Sequence, residues 1–152
     1  MSRAESAGAG ATGRHAVGEG SAGEREAARG ETGVTRGTPA WPLARLGYVY
    51  ATVVGFVWGA IWSRGRIERR DGLWVFEGMP KWTFGRGGSC VGGCYLTDRN
   101  VSGRVLRHER VHRAQWQHYG MALPILYLIS GRNPLRNRFE IEAGLRDGGY
   151  VR

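Results

Sequence analysis

"HERVHRAQWQH", residues 108–118, decides how the rest of the chain is read. It holds three of the four histidines, and two of them, His108 and His112, stand four apart with Glu109 directly after the first. At about 100° per residue, His108, His112, Gln115 and Tyr119 share one helical face within roughly 60°. Two imidazoles so placed can reach a single ion. Glu109 lies about 100° round from His108, outside the ligand plane but able to reach a water at the metal. Arg107, Arg110 and Arg113 take the opposite side, while Val105, Val111 and Trp116 flank the histidine face and would bury it. The pattern is HExxH. In such a site neutral imidazoles suit Zn2+, the metal acidifies a water, and the glutamate takes its proton. The competing reading is an amphipathic helix whose histidines make ordinary hydrogen bonds.

The flanks support a helix. Ser102 is suited to cap a helix over residues 103–119, and Gly120 to stop it. Residues 121–130, "MALPILYLIS", read as an apolar helix interrupted by Pro124, too short to span a membrane alone. Asn133-Pro134 is a cap followed by a first-turn proline, which predicts a last helix ending near Gly148. That helix carries Glu140 and Glu142. Being two apart, they face nearly opposite sides, so only one can join the histidines.

Upstream the period changes. Residues 66–78, "RIERRDGLWVFEG", predict a hairpin on Asp71-Gly72, the pair suited to a type I′ turn. Residues 79–97 predict a strand at 81–84, a glycine-rich bend, and a second strand through Thr97. The expected fold is therefore α+β: an N-terminal tail, an apolar helix, a small sheet, then three helices including the histidine helix. Cys90 and Cys94 sit in the glycine-rich part. Their Cα atoms would be about 13 Å apart in an extended strand, too far for a disulfide unless Gly92-Gly93 turns tightly. Two small buried thiols are the plain expectation.

Residues 46–62, "LGYVYATVVGFVWGAIW", contain no charge, at the short limit for a spanning helix. Trp41, Tyr48, Trp58 and Trp62 lie towards its ends, where interfacial aromatics belong, and Gly55 and Gly59 form a GxxxG that could pair two such helices. Arg64, Arg66, Arg69 and Arg70 follow, which favours a cytoplasmic C-terminal domain. A buried core element in a cytoplasmic protein is the alternative. Three regions result: a tail over 1–40, an apolar, membrane-associated helix over 41–63, and an α+β domain over 64–152. The tail has only Val17 and Val34 as large aliphatics after Met1, so it is expected to be disordered. It also lacks the apolar core of a signal peptide.

The net charge of +9 belongs wholly to residues 41–152, because five arginines and five glutamates cancel before them. Such a basic domain suits an anionic membrane surface or an acidic partner. There is no zinc-finger spacing, RRM signature or phosphate loop, so nucleic acid is not an expected partner.

Two resemblances follow from these residues. "HERVH" with the later "FEIEA" resembles the gluzincin zinc metallopeptidases over about residues 88–147. That resemblance implies zinc on His108, His112 and Glu140, with Glu142 as the other candidate, Glu109 as general base, and a peptide or protein substrate. It also implies a strand beside the cleft, for which "SCVGGCYLT" is in the right order. Gly144 stands where the family often has an aspartate backing a histidine. "HERVHRAQ" is similar to the HExxHxxQ form of small zincin-like domains, which would put Gln115 beside the site. Tyr119 is the residue on the metal face suited to stabilising an oxyanion. The stretch from "GYVYATVVGFVWG" to "FEIEAGLRDGGYV" also resembles a small bacterial family labelled Fe-S oxidoreductase. An iron-sulfur cluster is usually held by four thiolates, so two cysteines would require one shared between chains. The expected activity is a zinc-dependent hydrolase, the alternative a non-catalytic, membrane-associated metal-binding scaffold.

Overall fold

Every fourth residue along one side of the apolar run is small, and that row governs its packing. In a computed structural model, which describes residues 42–152, helix α1 spans Pro42–Trp62 and buries Gly47, Ala51, Gly55 and Gly59. A Cβ on Gly47 would come within 2.6 Å of Met121 N, one on Gly55 within 2.9 Å of Val91 O, and one on Gly59 within 2.6 Å of the Phe76 ring. The Gly55/Gly59 pair is thus occupied by the domain's own sheet, not by a second helix. Polar contacts add to this. Thr52 Oγ1 accepts from Gly93 N at 2.9 Å, and Arg113 Nε donates to the Tyr48 hydroxyl at 3.2 Å. The described residues belong to one compact unit that includes α1. By length and composition α1 is the one helix among them able to cross a membrane. The expected tail, and Trp41, lie outside the described residues.

The sheet has four strands in the order β1-β2-β4-β3: β1 Ile67–Arg70, β2 Leu73–Phe76, β3 Ser89–Val91 and β4 Cys94–Leu96. β1 and β2 are antiparallel across Asp71-Gly72, both at positive φ (50° and 82°), as a type I′ turn requires. β2 and β4 run parallel, and β3 pairs antiparallel with β4.

Two strand expectations are corrected. Residues 81–84 are not a strand: Lys81–Thr83 is a 3-10 turn, closed because Thr83 bonds Pro80 O through both its N (2.9 Å) and its Oγ1 (2.6 Å). The strand expected through Thr97 is a hairpin, split where Gly92 takes φ 60° at the first central position of a two-residue turn.

Helix α2, Gly103–Tyr119, matches its reading. The Ser102 side chain accepts from Val105 N, and Gly120 ends the helix. A 3-10 turn at Gly120–Ala122 leads into α3, Leu123–Ile129, with Pro124 harmless in the first turn. The last helix is much shorter than Asn133-Pro134 suggests. α4 spans only Arg138–Ala143, capped by Asn137, whose side chain accepts from Phe139 N at 3.0 Å. The Asn137 amide also donates to Tyr127 O and Gly131 O, so this buried residue fixes the loop to α3 before the helix can begin. Asn133 only closes a local turn, its side chain accepting from Leu135 N.

Helix α2 packs between the sheet and the C-terminal helices. Leu106 joins Leu73, Val75 and Tyr95 on the sheet side, and Trp116 joins Ala51, Leu123 and Phe139 on the other.

Candidate metal centre

Phe139 is fully buried and anchors α4, and its neighbour Glu140 is thereby carried to the face of α2 that bears the histidines. His108 Nε2 lies 3.0 Å from His112 Nε2 and 3.2 Å from Glu140 Oε2, and His112 Nε2 lies 3.5 Å from Glu140 Oε1. A tetrahedral ion with bonds of about 2.0–2.1 Å would hold its ligand atoms roughly 3.3–3.4 Å apart. The histidine pair is slightly closer than that, each imidazole meets a different Glu140 oxygen, and one ligand atom from each residue lies within 4.8 Å of the others. His108, His112 and Glu140 therefore form a buried group able to hold a metal ion.

The outer contacts fix which imidazole nitrogens face inward. His108 Nδ1 sits 3.1 Å from Ala143 O and 3.2 Å from Gly144 O. Carbonyls only accept, so Nδ1 carries the hydrogen and Nε2 presents a lone pair. His112 Nδ1 meets Gln115 Oε1 at 2.8 Å, and the Gln115 amide is set by donating to Phe139 O (3.1 Å) and to Glu142 Oε2 (3.0 Å). His112 Nε2 is thus a lone pair too. Two imidazole lone pairs and a carboxylate converge, almost dry, with no donor of their own to reconcile them. A cation or a proton must sit there.

Charge responds accordingly. Burial opposes ionisation of Glu140, but the adjoining His108 and His112, where a proton held at Nε2 would bond to it, and the Tyr127 hydroxyl outweigh burial and hold its carboxyl well below the usual range. For His112, burial disfavours the charged form, and the neighbouring Glu140 and Glu109 reverse the balance upward. Glu109 is buried beside them with Oε2 lacking any hydrogen-bond partner. Burial raises its pKa, and the two histidines offset this only in part.

The residues read from sequence separate into those brought together and those left apart. His108, His112, Glu109 and Glu140 all line one cavity of about 570 Å³. Gln115 backs His112 as described. Glu142 is exposed and turned to Gln115, which leaves Glu140 as the carboxylate ligand candidate. Tyr119 does not line the cavity. Its hydroxyl accepts from Arg138 at 3.1 Å, and its ring packs edge-on against Phe139. The aspartate absent at position 144 has a substitute, since the carbonyls of Ala143 and Gly144 hold His108.

Two tyrosines escaped the sequence reading. Tyr127 on α3 donates its hydroxyl to Glu140 Oε1 at 2.5 Å, and Tyr150 lines the cavity with its ring 6.0 Å from that of His108. Burial, then the Glu140 charge, pushes Tyr150 up to about 12. Neither lies at helical spacing from the histidines, so periodicity offered no signal for them. Cys90 and Cys94 are free thiols directed at separate carbonyls, Cys90 towards Glu109 O and Gly92 O, Cys94 towards Thr52 O. Comparison with protein-family models, characterised proteins and solved structures finds no match.

Proposed function

We propose that this chain is a zinc-dependent hydrolase of peptide or amide bonds, with His108, His112 and Glu140 as ligands and Glu109 as general base. One observation carries the reading: two Nε2 atoms, each turned inward by the contact at its Nδ1, converge on a buried carboxylate within the reach of a single ion. Two imidazoles and a carboxylate are a donor set for Zn2+, and three protein ligands leave the open position that catalytic sites keep. When bound, zinc would supply Lewis acidity, polarising a carbonyl and acidifying a water.

The protein's own groups supply the rest. Glu109, with its raised pKa and an unpartnered oxygen in the cavity, can take a proton at that oxygen and later return it to a leaving amine. Tyr127 orients Glu140. Tyr150 keeps its proton at neutral pH, and its hydroxyl, beside Glu140 in the cavity, is the candidate donor to negative charge developing on a carbonyl oxygen. Val105, Trp116, Leu123 and Leu128 give the cavity apolar walls for the side chains next to a scissile bond.

The test pairs elemental analysis with a cleavage screen. Purified protein should carry one zinc per chain rather than iron, lost in His112→Ala, and should cut a peptide library. Glu109→Gln should retain the metal and lose cleavage. Equal turnover in Glu109→Gln would end the mechanism, and metal-loaded protein that cuts nothing would favour the scaffold alternative.

A further inference from the structure

The outer side of α1 has no partner among the described residues. Leu43, Leu46, Val53, Val57 and Ile61 are 78%, 67%, 56%, 52% and 64% exposed. Only 22% of the helix's apolar window is buried. At the N-terminal half of α1 the Gly120–Ala122 turn lies against Ala44 and Gly47 and leads into α3, where Ile125, Leu128 and Ile129 are also mostly exposed. Apolar surface of this extent marks an interaction site.

We propose that the outer faces of α1 and α3 dock on an anionic lipid bilayer, with α1 lying in the membrane plane and both of its ends at one leaflet. This goes beyond the hydrolase reading and does not depend on a metal.

The orientation follows from how α1 is held. Its whole length is fixed to the domain: Gly47 against Met121, Thr52 against the Gly92-Gly93 turn, Gly59 against Phe76, and Trp58 Nε1 donating to Thr83 O at 3.2 Å. A spanning α1 would drag the β3–β4 turn, and Arg113 with its bond to Tyr48, into hydrocarbon. Irregular backbone and an arginine there are strongly disfavoured. An in-plane helix keeps all of them on the water side.

The surroundings suit an interface. Trp58, Trp62 and Trp82 cluster at the C-terminal end of α1, with Trp62 and Trp82 ring centroids 4.7 Å apart and Trp82 65% exposed. Indoles meeting edge-to-face and partly open to solvent fit the headgroup level. Arg45 at one end of α1, and Arg64 and Arg66 at the other, are exposed and outside every ion pair formed among the described residues. Cations at both ends complement anionic headgroups along one leaflet. A second copy is a poorer occupant, because it would set two surfaces of equal positive charge face to face. Leu128 and Pro124 also line the metal-site cavity, so α3 joins that cavity to the docking face.

The experiment uses the full chain with vesicles of phosphatidylcholine alone or with phosphatidylglycerol. Flotation with the anionic vesicles, weaker with the neutral ones, is expected. Arg64→Ala combined with Arg66→Ala should cut anionic-vesicle partitioning roughly tenfold or more. Val53→Glu should reduce flotation on both vesicle types with the folded state's melting temperature retained. Leu43→Cys and Arg64→Cys, made singly in a Cys90→Ser background, should both react with an impermeant maleimide from the same side of sealed membranes; the Cys90→Ser protein serves as blank, since its remaining thiol, Cys94, is buried. Absence of flotation, whether the chain is monomeric or self-associates in buffer, overturns the proposal. So does labelling of the two positions from opposite sides.

Discussion

Gly148→Ala tests whether the donor geometry is as tight as the distances imply. An added Cβ would lie 2.7 Å from His108 Cε1, 3.0 Å from His108 Nδ1 and 2.8 Å from Tyr150 Cε2. Carbon atoms settle at about 3.5–4.0 Å, so the imidazole or the phenol must move by roughly 1 Å. The ring is hemmed by Tyr150 on one side and held by Ala143 O and Gly144 O on another, so it can yield only by swinging Nε2. Ligand positions tolerate about 0.2 Å before a site departs from its metal's preferred geometry. A displacement several times larger should weaken zinc binding at least 10- to 100-fold, the scale seen when a ligand loses its support. The overpacking should cost about 1–3 kcal/mol of stability besides. Affinity is read by competition with a chromophoric chelator, and stability by urea unfolding of the metal-free protein. Gly103→Ala is the control: it is the first residue of the helix that carries His108, its nearest neighbour is 4.0 Å away, and it should leave zinc affinity unchanged without loss of stability. Equal zinc affinity in Gly148→Ala and wild type would refute the claim that His108 is a positioned ligand.

Gln115→Leu removes the acceptor that fixes His112 Nδ1–H, and zinc affinity by the same competition should drop about 10- to 100-fold with the fold retained. Gly59→Ala sets a methyl 2.6 Å from the fully buried Phe76 ring and should lose roughly 1–3 kcal/mol in urea unfolding, despite the better helix former. Burial raises the Cys94 thiol to about 12 and pushes Cys90 up as well, so thiolate is scarce at pH 8. Iodoacetamide should then label neither in the folded protein and both in denaturant, as counted by mass spectrometry. Chelation should increase amide exchange over residues 137–148 more than in β2 or β4, since Glu140 ties that segment to α2.

What could be read in advance was local chemistry. Ser102, Gly120 and the four-residue histidine spacing specified α2 without help from other segments, and Asp71-Gly72 specified its turn. Where two local signals competed, tertiary contacts chose between them. Asn133 and Asn137 can each cap a helix, and the proline favoured Asn133. Asn137 prevailed because its amide reaches Tyr127 O and Gly131 O, contacts that depend on how the chain folds back on α3 and that capping preference does not register. Likewise the small-residue row of α1 was visible, but what fills it was not: Phe76, Val91 and Met121 come from three separate segments. The site divides in the same way. Its candidate ligands follow from a pattern on one helix and a carboxylate expected downstream. Tyr127 and Tyr150 arrive through chain reversals at 130–137 and 144–150, whose geometry is set by packing.

Helix α4 shows how packing and site depend on each other. Six residues cannot sustain a helix in water, because nucleation is not recovered over so few hydrogen bonds. It persists because Phe139 fills the core between Trp116 and Leu123, and because Gln115 donates to the Phe139 carbonyl. Those same contacts set Glu140, one residue on, against the two imidazoles. Gln115 thus serves both ends at once, its amide nitrogen holding α4 and its oxygen holding His112. The cost of burying Glu140 falls on that packing, and an ion between the three donors would return it by neutralising the carboxylate. A carboxylate placed this way by core residues, and not by a mobile loop, needs little ordering when a cation arrives. That is the arrangement expected of a site whose ligands are set before the metal binds.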